Sequence, residues 1–325
     1  MKIQKKFALS VIRNLILGFS LTFFFSQAQA ACGLTITTDD ISLTWGLNFS
    51  SIAVPITINR STADACNYAL GFTKGNGASY VARRAANGSN TLSYQLYKDT
   101  GLSKILKDNP DITTIDDVVD GGFLAGAIPV SQTVNYYFDI PYASATTPVM
   151  VSSGTYTDNF TLNLYEGSGP PFGTLVASKG VNITVTVPKM IALSLVDPGA
   201  PYQQGQLSKN VNFGTMTEGS AANVDLRLRT NAGFSVTFSS ANNGKMKHTS
   251  PGKNSLVPYS LMVNGATLNL SNSSTVPVVG LTGSGSTALS GLGYPIKVVI
   301  GSVTGPTVLG GPHSDDITIT ATTTE

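Results

Sequence analysis

Four segments in the first half of this 325-residue chain recur in its second half, in the same order and at similar spacing. Leu43-Thr44-Trp45-Gly46 corresponds to Val211-Asn212-Phe213-Gly214, and Cys66-Asn67-Tyr68-Ala69-Leu70-Gly71-Phe72 to Gly233-Phe234-Ser235-Val236-Thr237-Phe238. Asn90 to Leu96 parallels Asn254-Ser255-Leu256, followed by Tyr259-Ser260-Leu261, and Gly154 to Thr161 parallels Gly311 to Thr318. One such match would carry little in a chain with 33 glycines; four in order argue for a duplicated domain. The copies differ at their ends. After Gly154 to Leu164 the first turns through Gly167 to Gly173 and adds a further β-rich run, Val181 to Val187. The second stops at Glu325, directly after its matching run. A sandwich without its last strand leaves unpaired backbone groups beside an uncovered apolar groove. The second copy is therefore expected to need a strand from another chain, with Ile317 and Ile319 on the strand that borders the groove. The alternative is a fold that uses one strand fewer.

The runs themselves have period two. Pro55 to Asn59, Thr161 to Leu164, Asn182 to Val187 and Ile317 to Thr320 alternate apolar and polar residues between Gly, Asn, Ser and Pro punctuation. Helical periodicity is weak; Ile112 to Val119 offers one or two turns at most. The expectation is an all-β chain of two sandwich domains, 31–187 and 188–325, after a leader, 1–30.

That leader has a basic start (Lys2, Lys5, Lys6, Arg13), an apolar run from Leu15 to Phe25, and the small-residue pattern Ala28-Gln29-Ala30. The run is short for a bilayer span and flanked as in a secretory signal peptide. A lipoprotein signal competes, because Cys32 lies close to the cut, but Gln29 stands where a lipobox wants Leu or Val. The whole chain has 20 Lys+Arg and 18 Asp+Glu; removing the leader's four basic residues leaves 16 against 18. The basic balance belongs to the leader, and nothing in the remainder argues for nucleic acid. The two cysteines, Cys32 and Cys66, form an even pair in an exported chain and read as a disulfide. A metal or redox role would need more ligands or a C-x-x-C spacing.

Gly75-Asn76-Gly77-Ala78-Ser79-Tyr80, Arg83-Arg84, Asn87-Gly88, Leu92 to Asp99, Ile140-Pro141 and Ser153 to Asp158 are together similar to the spore coat protein U family. The early cysteine pair and Trp45-Gly46 fit the same pattern. The resemblance covers nearly all of the first copy and, more loosely, the second. It departs between Asp99 and Pro141, where Ile105 to Pro110 and a longer insert replace a Trp-Gly and Gly-rich stretch. The family includes subunits of archaic, Csu-type chaperone–usher pili, and two-domain members resemble the tip subunit. The resemblance implies immunoglobulin-like sandwiches, the C-terminal one lacking its last strand. Its groove is filled first by a periplasmic pilus chaperone, then by a strand from the next pilin subunit at the outer-membrane usher. With Cys32 the second residue after the expected cut, no free N-terminal donor extension is expected, which favours the tip over the shaft.

The expected function is then surface attachment and biofilm formation at the pilus tip, with export through the periplasm to the cell surface. Two apolar segments are candidates for contact with a hydrophobic surface or host receptor. One is Gly121 to Pro129, with Phe123, Leu124, Ile128 and Pro129; the other is Ala143 to Val151, with Val149, Met150 and Val151. Hydrophobic finger loops are what the Csu-type resemblance implies; the alternative is that these side chains fold onto the core. Arg83-Arg84 is expected to be structural, solvated or paired, Asp158 and Asp315 turn or cap residues, and His248 and His313 structural or exposed. No catalytic constellation, phosphate loop, metal cluster or cofactor motif is present, and an enzyme is not expected. The competing functions are a structural coat or matrix protein, and a glycan-binding tip using Tyr80, Tyr136, Tyr137 and Tyr142.

Overall fold

The computed structural model describes residues 32–46, 49–126, 130–141, 150–167, 169–170, 173–305 and 308–324. The expected leader lies outside them. The first half forms β1 (Leu34–Thr38), β2 (Ile41–Thr44), β3 (Ile52–Arg60), β4 (Cys66–Phe72), β5 (Arg84–Asn87), β6 (Asn90–Ser93), β7 (Gln95–Tyr97), β8 (Val119–Phe123), β9 (Val130–Asp139), β10 (Gly154–Glu166) and β11 (Thr174–Val187). The second forms β12 (Ile191–Val196), β13 (Ala221–Thr230), β14 (Phe234–Ser240), β15 (Lys245–His248), β16 (Leu256–Val263), β17 (Ala266–Leu268), β18 (Val278–Gly283), β19 (Leu292–Ile300), β20 (His313–Ser314) and β21 (Ile317–Thr323). Two 3-10 turns, Tyr80–Ala82 and Ile115–Asp117, are the helical elements among the described residues. The chain is all-β, two sandwiches in tandem, and the second turn falls within the stretch where sequence allowed a helix.

Each half packs two sheets around its own core. In the first, β1-β3-β9-β7 faces β2-β11-β10-β4-β8. Trp45, Phe72, Tyr136, Phe138, Phe160 and Ile183 meet between them. In the second, β12-β13-β19-β16-β15-β20 faces β18-β14-β21 over Leu226, Phe234, Phe238, Leu261 and Ile300. The strand order repeats with one difference. Deleting β2 and β11 from β2-β11-β10-β4-β8 leaves three strands whose counterparts are β21, β14 and β18. Phe72 pairs with Leu162 in the first half as Phe238 pairs with Ile319 in the second, the register expected of a duplication.

A polar knot is duplicated as well. Asp158 of β10, 6% exposed, accepts from the main-chain N and Nδ2 of Asn76 at 3.2 and 2.6 Å and from the Tyr94 hydroxyl at 2.7 Å. Asp315 accepts from the same two atoms of Asn242, both at 3.0 Å, and from the Tyr259 hydroxyl at 2.5 Å. Burial, then the aspartate bond, raises the pKa of Tyr94 and of Tyr259, so each phenol remains a donor. Both aspartates, Asp158 buried and Asp315 half-buried, are thus fasteners that tie their segment to a distant loop, rather than turn caps.

Arg83 is 1% exposed and is neither solvated nor part of a strand. It donates to the carbonyls of Phe72, Thr73 and Leu106 and to Gln95 Oε1. Burial lowers its pKa to about 10, which leaves it charged at neutral pH. Arg84 opens β5 and is exposed. Cys32 and Cys66 form a disulfide, Cα atoms 6.4 Å apart, that ties the residues before β1 to the start of β4. Closing such a loop stabilises a domain by roughly 3–4 kcal/mol in the chain-entropy model.

Candidate strand-acceptor groove and distal loop pole

The last strand of the first half has no counterpart among the described strands of the second. β11 runs antiparallel to β10 from Gly154↔Val187 to Glu166↔Thr174, and parallel to β2 from Ile183↔Ile41 to Thr186↔Thr44. It fills a slot between them with Val181, Ile183, Val185 and Val187, all buried. Under this cover Phe160, Leu162 and Leu164 of β10 are 2%, 0% and 0% exposed. Their counterparts Ile317, Ile319 and Ala321 are only half-buried, although they pack on the second core. β21 pairs with β14 on one side, and no other described strand is hydrogen-bonded to it.

Alongside lies a groove of about 670 Å³ whose apolar lining includes Val211, Phe213, Phe238, Leu261, Ile317 and Ile319. Its far wall is the 207–214 segment, anchored through Lys209 to Asp197 at 2.7 Å. Val211 and Asn212 correspond by sequence to Leu43 and Thr44 of β2 yet form no strand. β2 exists by pairing with β11, and no described strand takes that place here. Ile317 and Ile319 therefore border an open groove, one long wall of which is a segment with strand-forming sequence and no strand.

The candidate contact residues fall at opposite ends of the first domain. Phe123 ends β8 opposite Cys66, is 4% exposed and packs on Tyr68 with ring centroids 5.8 Å apart. It is not a loop tip. The glycines that suggested a loop, Gly121 and Gly122, lie inside β8, where a Cβ would collide with the Tyr68 and Asn67 side chains. Leu124, next along, is 88% exposed. Its carbonyl accepts from Arg60 Nη1 at 2.7 Å, and the Arg60 guanidinium lies 5.3 Å from the Phe123 ring centroid. Gly126 N donates to the Ala63 carbonyl. This loop, the 61–65 connection and the turn after Glu166 share one pole, because Gly167 N bonds Asn67 O and Cys32 N bonds Glu166. Ile128 and Pro129 lie outside the described residues.

Met150 and Val151 sit at the other pole. Met150 is 8% exposed, and its N donates to the Thr287 carbonyl of the second domain at 3.1 Å. Val151 packs on the first core. The expectation of an apolar tip at these two residues is corrected: Met150 is buried and bonded to the second domain, and Val151 is packed on the first core. Val149 lies outside the described residues.

Sequence reasoning also missed Arg60, 2% exposed, whose Nη1 holds both the Asp64 and the Leu124 carbonyls. No local pattern marks it, because its partners come from separate loops. The tyrosines proposed for a glycan site do not converge: Tyr136 is fully buried against Phe72, while Tyr80 hydrogen-bonds the Asp108 carbonyl. Tyr142 lies outside the described residues. Ser255 Oγ is 2.9 Å from His313 Nε2, but Ser255 is fully buried and His313 Nδ1 faces the Gly311 carbonyl, not a carboxylate. With His248, 4.9 Å away between ring centroids, the pair fastens the loop before β20.

Comparison with known families bears on the half that carries the disulfide, the Asp158 knot and β1 to β10. Residues 19–163 match the Spore Coat Protein U domain. The matched span ends within β10, so β11 lies beyond it. No curated protein sequence matches the chain. Among solved structures, the chain is similar to a chaperone–tip subunit pre-assembly complex from archaic chaperone–usher Csu pili of Acinetobacter baumannii. That likeness is at 12% identity and TM-score 0.42, over 88% of this chain and 99% of that one. It is also similar to the CupB6 tip adhesin of Pseudomonas aeruginosa (11%, 0.37, 88% and 94%). A third is the CFA/I adhesin CfaE of enterotoxigenic Escherichia coli (14%, 0.34, 88% and 92%).

Proposed function

We propose that this chain is the tip adhesin of a chaperone–usher pilus. Its second domain accepts a strand from another subunit, and its first presents a binding pole. One observation carries this reading: β21 and its groove are open where the duplicated β10 is covered by β11. An apolar slot bordered by a free strand edge fits an added strand. The resemblance of the first domain to the spore coat protein U family, which includes archaic pilus subunits, supports the same reading.

Direction supports it further. Thr323 pairs with Phe234, and Thr324 N bonds the Gly233 carbonyl, close to the first domain; Gly311 borders the other end of the groove. A strand running like β11, antiparallel to its neighbour, enters beside Thr323 and leaves past Gly311. The donor subunit then continues away from the first domain and leaves its distal pole clear. In this reading a periplasmic chaperone occupies the groove before the usher exchanges it for a pilin strand.

Expression in a periplasm tests the groove. With a pilus chaperone the chain is expected to purify as a one-to-one complex; without it the yield of soluble chain should collapse. A monomer that folds cooperatively without a chaperone would return the lead to a coat or matrix protein.

The binding pole is proposed to act through Leu124, with Ile128 and Pro129 following it in sequence. The Arg60 bond holds the Leu124 main chain, so the side chain meets an apolar surface with little ordering cost. Leu124→Asp should abolish most attachment to a hydrophobic surface while leaving the unfolding midpoint unchanged. Contact is weak per tip, at about 25 cal/mol per Å² of apolar area, and is multiplied over many fibres. Unchanged attachment by Leu124→Asp cells with normal pilus numbers would remove this loop from the binding surface.

A further inference from the structure

Three chain segments meet at Asn231, which is 2% exposed. Its Oδ1 accepts from Met190 N at 2.7 Å, and its Nδ2 donates to the Pro188 carbonyl at 2.9 Å. Its main-chain N donates to the Met190 carbonyl at 3.3 Å, and its own carbonyl accepts from Ser153 N at 2.9 Å. One residue of the second domain therefore holds both flanks of Lys189 and the residue just before β10. Two further bonds cross beside it: Met150 N to the Thr287 carbonyl, and Ser152 Oγ to Ser286 Oγ at 2.9 Å. Thr287, 4% exposed, is itself fixed, since its N bonds the Thr230 carbonyl and its Oγ1 accepts from Thr230 N.

Two sandwiches joined by a short connector move relative to one another unless their interface prevents it. A hinge acts by changing the torsions of a few connecting residues. Here the connector is residues 188–190, between Val187 of β11 and Ile191 of β12. Rotation about Lys189 must break the bonds to Pro188 and Met190 together, and the 150–153 segment opposes bending from the other side.

We propose that Asn231 is an inter-domain lock that makes the two sandwiches one rigid body. The lock exists whether or not the groove takes a strand. If it does, a pull applied at the groove reaches the distal pole of the first domain without bending at the connector.

Backbone nitrogen-15 relaxation on the full exported chain tests this directly. A single tumbling time shared by both domains is expected, and independent tumbling would overturn the proposal. The second test uses trypsin, because Lys189 is exposed. Asn231→Ala should speed release of the fragment beginning at Met190 by roughly tenfold, the effect of two lost hydrogen bonds. Equal cleavage rates in a variant with unchanged unfolding would also sink the lock. Should Asn231→Ala fail to fold, the relaxation measurement on the unaltered chain decides alone.

Discussion

A copy of residues 174–187 appended after Glu325 through a Gly-rich turn is expected to convert the second domain into a self-sufficient sandwich. The chain already contains this arrangement. β10 is followed by the antiparallel β11, which lays Val181, Ile183, Val185 and Val187 into the slot. By the repeat, Val181 should lie opposite Ile317 as it now lies opposite Phe160, and Ile183 opposite Asp315 as it now lies opposite Asp158. Burial of these side chains and new ladder bonds to β21 oppose the cost of ordering the strand. A rise of about 5 °C or more in the second unfolding transition is expected, the shift that about 1 kcal/mol of net gain gives a domain of this size. Latent pairing of Val211 to Gly214 should appear at the same time, as newly protected amides. The control is a copy with Ile183→Asp and Val185→Asp in the appended segment only. If that copy stabilises as well as the native one, the groove does not read inward side chains and the strand-acceptor reading fails. Periplasmic solubility without a chaperone should rise with the native copy alone.

Much of this was legible in the sequence, for a physical reason. A strand that buries one face must alternate, so Pro55 to Asn59, Asn182 to Val187 and Ile317 to Thr320 announced themselves, and all lie in strands. Duplication kept the inward positions, so Phe72 and Phe238 could be matched before either was seen in a core. What stayed hidden depends on partners far along the chain. Gly121 and Gly122 look like loop residues because glycine favours turns, yet they are small so that Tyr68 and Asn67 can cross β8. Met150 bonds through its main-chain N to a residue more than a hundred positions away, and Arg83 is held by carbonyls from two separate segments. Val211 to Gly214 shows the converse: a matched sequence does not become a strand where no described strand pairs with it. Asn231, in a Thr-Asn-Ala-Gly stretch, carries every mark of an ordinary turn.

The aspartate knots should prove the most sensitive polar positions in each domain, and for different reasons. Asp158→Ala leaves the Tyr94 hydroxyl and both Asn76 donors without their acceptor, and Tyr94 is 2% exposed. A buried orphaned donor costs about 1–3 kcal/mol, so a loss of roughly 3–5 kcal/mol is expected for the first domain by urea unfolding. Adding Tyr94→Phe should recover part of that loss, because it removes one orphan; the double variant will then be less damaged than the sum of the singles. A strictly additive result would mean that the hydroxyl bond contributes nothing beyond packing. Asp315→Ala removes the acceptor of Asn242 and Tyr259 and of the Ser240 hydroxyl, which lies 2.5 Å away. This knot lies between β20 and β21, at the Gly311 end of the open groove, where the added strand leaves. Its loss should therefore weaken strand capture as well as stability, whereas Asp158→Ala should leave capture intact. The appended-strand protein separates the two effects. If the added strand restores the Asp315→Ala variant to nearly the level of its parent, the knot acts chiefly by holding the groove's edge ready. If the deficit persists undiminished, Asp315 serves the second core alone.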